Sequence, residues 1–76
     1  MILNQTQKNY IYDIFELSER FDKNILNYDW HIEKIDWQEN YYEGENCFPF
    51  AIYITKTREL IDCFTSGFIK LLKNKK

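Results

Sequence analysis

Apolar residues recur at helical intervals in the first third of the chain, at Tyr10, Ile11, Ile14, Phe15, Leu17, Phe21, Ile25 and Leu26. Charged residues (Lys8, Asp13, Glu16, Glu19, Arg20, Asp22, Lys23) fill the positions between them, so the pattern predicts an amphipathic helix over about 6–26. Asn4, followed three residues later by Gln7, supplies a capping pair: the side chain of each can satisfy an early backbone N–H.

The period then changes from helical to two. Phe48, Phe50, Ile52 and Ile54 alternate with Cys47, Pro49, Ala51, Tyr53 and Thr55, which predicts a strand over about 47–55 with one buried face. Pro49 has no N–H to give a ladder, so it suits an edge strand or an unpaired position at a strand's start. Ile35, Trp37 and Tyr41 share one parity, while Lys34, Asp36, Gln38 and Asn40 share the other; a second strand is expected over about 33–42. The cluster Glu43-Gly44-Glu45-Asn46 is the turn that makes the two an antiparallel hairpin. A helix through Tyr28, Ile32, Ile35 and Tyr42 is the competing reading, but it strands Trp30, Trp37 and Tyr41 on the opposite face.

From Thr57 onward Leu60, Ile61, Phe64, Phe68, Ile69, Leu71 and Leu72 return to helical spacing, predicting a helix over about 57–73 capped by Thr55 or Thr57. Gly67 weakens it relative to Ala and would suit a close approach of another element. The fold class that follows is α+β, a single compact domain over 1–76 in the order helix, β-hairpin, helix. Two strands cannot stand alone, so both helices must cover one face, or a third strand forms around 29–33, or a second copy of the chain completes the sheet.

Composition narrows the function classes. Seventy-six residues with 18% aromatics and only two glycines and one proline make one small domain. The large side chains offset the small fraction of surface that so short a chain buries. There is no phosphate-binding glycine loop, nucleophile elbow or HExxH pair, and little room for both a core and an enclosed pocket, so the chain is not expected to be an enzyme. Two cysteines, Cys47 and Cys63, with the lone His31 do not make a zinc set; free thiols and neither metal nor cofactor are expected. His31 is best read as a ring with satisfied hydrogen bonds. No export signal or membrane-length apolar run is visible, which leads to the expectation of a soluble cytoplasmic protein. Phe, Tyr, Met, Ile, Asn and Lys make up half the chain while Gly, Ala, Arg and Pro are scarce, a coding bias of low-GC bacteria and of the phages and plasmids they carry.

Charge is uneven. Residues 29–45 hold six acids (Asp29, Glu33, Asp36, Glu39, Glu43, Glu45) against Lys34, whereas the last seven residues hold four lysines. A solvated strand edge kept from pairing with neighbours explains the acids as well as function does. The functional reading assigns Asp36, Trp37, Glu39, Tyr41, Tyr42, Glu43 and Glu45 to a partner-binding face, with aromatics as desolvated anchors and acids steering a basic partner. Phe15, Phe21, Phe48, Phe50, Phe64 and Phe68 fall on faces expected to be buried; Tyr41, Tyr42, Tyr53 and the two tryptophans lie in or near the acidic hairpin, where some should be partly exposed.

The expected function is therefore a small stoichiometric inhibitor or immunity-type antagonist acting on a larger protein with a basic surface, such as a nuclease. Phage-encoded inhibitors of host nucleases, anti-CRISPR proteins among them, share this general profile, and a phage-encoded chain would act in the host cytoplasm. The alternative is a nucleic-acid-binding regulator that uses the lysines of the C-terminal helix. Only Arg20 and Arg58 could make bidentate base or phosphate contacts, and the sequence pI is about 5.3, so direct nucleic-acid binding is not expected.

Overall fold

The computed structural model of the chain describes residues 1–35 and 49–75. Its elements are α1 (Gln5–Ile14), β1 (Trp30–Lys34), β2 (Phe50–Ile54), β3 (Glu59–Phe64) and α2 (Ser66–Lys73). The three strands form an antiparallel sheet in the order β1-β2-β3, giving a small α+β domain with helices at both ends of the sequence. Among the described residues no helix is long and apolar enough to cross a membrane.

The N-terminal cap forms as its spacing predicts. Gln7 N–H donates to Asn4 Oδ1 and Asn4 N–H to Gln7 Oε1, both at 2.8 Å. Gln7 also donates from Nε2 to the Leu72 carbonyl, tying the start of α1 to α2. The helix expected over 6–26 nevertheless stops at Ile14. Glu16 adopts the left-handed conformation (φ 52°), and 3-10 turns at Leu17–Glu19 and Lys23–Asn27 follow. A straight helix of that length would run about 30 Å, well past strands of five or six residues. The fold-back instead brings Leu17 and Ile25 into the same core as Ile11.

β1 is the third strand expected around 29–33, and it is the partner of β2. Trp30, His31, Ile32, Glu33 and Lys34 pair with Ile54, Tyr53, Ile52, Ala51 and Phe50. The expected strand 33–42 is thus replaced at its start by one that begins at Trp30 and ends at Lys34, because Trp30 and Ile32 are the buried pair of that segment; residues 36–42 lie outside the described residues. Trp30 is completely buried, and its indole N–H donates to the Ile25 carbonyl at 2.8 Å. β2 is central, with Pro49 just before it, where the missing N–H costs no ladder bond and the carbonyl accepts from Ile35 N–H at 2.7 Å. The N-terminal residues lie along the outer edge of β1: Ile2 bridges His31, and Leu3 N–H donates to the Trp30 carbonyl.

The largest departure lies in the last third of the chain. Residues 59–64 form a strand instead of the start of a helix over 57–73, and α2 begins only at Ser66. A bulge opposite Ile52 and Tyr53 shifts the register, so Ile61 and Phe64, three residues apart, are both buried. Alternation would separate them, and their spacing imitates a helix. Thr65, not Thr55 or Thr57, occupies the N-cap position. Gly67 has no close neighbour: a Cβ there would come no nearer than 4.0 Å to the Thr65 hydroxyl, so it marks no tight packing. Of the phenylalanines expected inside, Phe64 is buried, Phe15, Phe21, Phe50 and Phe68 pack half-buried around the core, and Phe48 lies outside the described residues.

Candidate functional site

The seven residues assigned to partner binding (Asp36, Trp37, Glu39, Tyr41, Tyr42, Glu43, Glu45) all lie outside the described residues, as does Cys47. What is described is how their segment is anchored. Ile35 and Pro49, the residues that flank it, are joined by a 2.7 Å hydrogen bond that continues the β1–β2 ladder. Acids and aromatics 36–48 are therefore carried on one connection between neighbouring strands.

On the sheet face opposite Trp30 and Ile32, strand alternation and the turn between β2 and β3 bring together His31, Glu33, Tyr53, Thr55 and Arg58. His31 Nε2 lies 2.7 Å from Glu33 Oε2, and Nδ1 lies 2.8 Å from the Thr55 hydroxyl. Arg58 grips both oxygens of Glu33, at 2.5 and 3.0 Å, while its guanidinium lies 4.8 Å from the Tyr53 ring centre. The His31 and Tyr53 rings stack at 5.8 Å. Arg58 itself is left-handed (φ 60°), a conformation glycine would take more easily, and its N–H closes the turn onto the Ile54 carbonyl.

A hydroxyl, an imidazole and a carboxylate in hydrogen-bonded series is the arrangement that activates a nucleophile. Here the carboxylate is already taken. The Arg58 hydrogen bonds, followed by that of His31, hold the Glu33 carboxyl far down, at about 2 against an ordinary 4.5, and Glu33 in turn raises Arg58. Glu33 is shared between Arg58 and His31, and these hydrogen bonds fasten the β2–β3 turn to β1. Sequence spacing could not reveal this cluster, because Arg58 meets Glu33 across 25 positions. The one advance signal is the shared parity of His31 and Glu33.

Two further polar groups hold the architecture. Lys8 is buried and donates from Nζ to the carbonyls of Leu26 (3.0 Å) and Tyr28 (2.8 Å), closing the turn after Lys23–Asn27. Arg20 pairs with Asp62 at 2.8 Å, and the other oxygen of Asp62 accepts the Cys63 N–H. Cys63 is half-buried, and burial, then the Asp62 charge, pushes its thiol up. Of the six acids in 29–45, Glu33 is thus neutralised within the fold. Beyond Asp29, the surplus belongs to Asp36, Glu39, Glu43 and Glu45, a stretch with no base. No family model, no curated protein and no solved structure matches the chain.

Proposed function

We propose that this chain is a non-catalytic binding protein, a stoichiometric inhibitor of the kind mobile elements direct against host nucleases, acting in the host cytoplasm. Its acidic aromatic connection 36–45 occupies a basic nucleic-acid-binding surface of a larger enzyme. The observation that carries this reading is the clamping of Glu33 by Arg58 beside a hairpin base closed by Ile35 and Pro49. Beyond Glu33 the stretch holds four more acids, Asp36, Glu39, Glu43 and Glu45, interleaved with Trp37, Tyr41 and Tyr42 in a sequence without a base, between two strands that pair. Aromatics give such a contact its desolvated anchors, and the acids set encounter rate and register against a basic partner.

The test compares the wild-type chain with the triple variant Glu39→Lys, Glu43→Lys, Glu45→Lys as bait in a lysate of a low-GC bacterium. The wild type is expected to capture a basic nucleic-acid-processing enzyme and to block its activity with saturation at one chain per enzyme. The triple variant, folded by circular dichroism, should do neither. Equal capture and inhibition by both baits would sink the assignment of these residues, and inhibition that turns over would sink the stoichiometric mechanism.

A further inference from the structure

At the end of the sheet opposite Ile35 and Pro49, a pocket of about 260 Å³ opens between the Lys23–Asn27 turn and the β2–β3 connection. Ile25, Tyr28 and Ile54 give it apolar walls, Thr57 a hydroxyl, and Lys56 and Glu59 opposite charges. At roughly 30 Å³ of liquid per molecule the space equals about eight or nine waters, enough for one branched or aromatic side chain.

Its walls are held in place by hydrogen bonds. The Trp30 indole fixes the Ile25 carbonyl at 2.8 Å, and buried Lys8 fixes those of Leu26 and Tyr28. On the other side Thr55 N–H donates to Asp29 O at 2.8 Å, Arg58 N–H to Ile54 O at 2.7 Å, and Glu59 N–H to the Thr57 hydroxyl at 3.3 Å. Arg58 stays left-handed to make this turn, which sets Lys56 and Glu59 at the same opening. A lysine is seldom buried unless its charge is matched by acceptors, so Lys8 marks the Tyr28 wall as a fixed part of the fold. Binding to a preformed wall avoids most of the ordering cost that weakens small-ligand sites.

Lys56 and Glu59 are both exposed, and neither is in an ion pair with another described residue. An ammonium and a carboxylate at one opening, over an apolar floor, complement a ligand that carries both charges on a small head and a hydrocarbon body beside it. We infer that this pocket binds a free α-amino acid with an aromatic or branched side chain. The side chain lies against Ile25, Ile54 and Tyr28, the carboxylate meets Lys56 and the ammonium meets Glu59. None of these residues belongs to the stretch 36–45.

Titration of the full chain with L-phenylalanine and L-leucine, followed by amide chemical shifts and calorimetry, tests it. Saturable shifts are expected at Ile25, Ile54 and Thr57, with a dissociation constant of about 1 mM or tighter. Three comparators each lack one part of the ligand: 3-phenylpropionate the ammonium, phenethylamine the carboxylate, and glycine the body; each should bind about tenfold more weakly or worse. Lys56→Ala should weaken phenylalanine and leave phenethylamine unchanged, while Glu59→Gln should weaken phenylalanine and leave 3-phenylpropionate unchanged. Absence of saturable shifts with both amino acids overturns the inference, and so does equal binding of phenylalanine and the two single-charge comparators to the wild type.

Discussion

Single side chains here do more fastening than their exposure suggests. Glu33 receives His31 and both guanidinium nitrogens of Arg58, and its carboxyl sits at about 2 instead of 4.5. A folded value below the unfolded one stabilises the protein fully above pH 4.5 and loses that contribution as the pH falls towards 2. Urea midpoints measured across that window should therefore drop more steeply for the wild type than for Glu33→Gln. Parallel curves would mean the cluster contributes nothing to acid stability, as many exposed pairs do not. Lys8 makes the opposite case, a buried cation whose partners are neutral carbonyls. Lys8→Ala strands the Leu26 and Tyr28 oxygens, at a cost of roughly 1–3 kcal/mol for an unmet buried group. Urea unfolding should report a loss in that range; an unchanged midpoint would show that water reaches both carbonyls.

Elements were legible wherever one physical signal acted alone. The Asn4/Gln7 cap and the alternation through Phe50–Ile54 each appear where the sequence puts them, since capping and a one-sided strand need only local chemistry. The same spacing failed wherever a backbone irregularity intervened. Leu17, Phe21 and Ile25 keep the four-residue interval of a helix, yet Glu16 turns left-handed between them and Ile11, without a glycine or proline to announce the break. The bulge in the β2–β3 pairing likewise gives Ile61 and Phe64 a helical look. The acidic connection could be selected by charge, but the His31–Glu33–Arg58 cluster depends on strand pairing that no local pattern encodes. The Glu16 break can be tested directly. A non-glycine residue is strained in this conformation and glycine is not, so Glu16→Gly should raise stability by about 0.5–1 kcal/mol in urea unfolding. A loss of stability would mean that the Glu16 side chain contributes a contact outweighing the strain.

Across the whole molecule, the fold sorts charges that the sequence only tallies. The chain has two arginines, and both are engaged internally, Arg58 with Glu33 and Arg20 with Asp62. The residues best suited to bidentate phosphate contacts are therefore occupied, and the described cations near the C-terminus are lysines. Lys75 lies 4.3 Å from the centre of the Tyr10 ring, while Lys70 and Lys73 in the last turn of α2 are exposed, where cations offset the helix dipole without any ligand. A regulator built on α2 would have to bind DNA through those lysines against a net charge of −2. The two functional readings consequently diverge in salt dependence. An acidic binder should pass through a duplex DNA column at low ionic strength, and Lys70→Glu with Lys73→Glu should elute with the wild type. Retention that falls steeply with added salt, and disappears in the double variant, would instead place counterion release from DNA at the centre of the protein's activity.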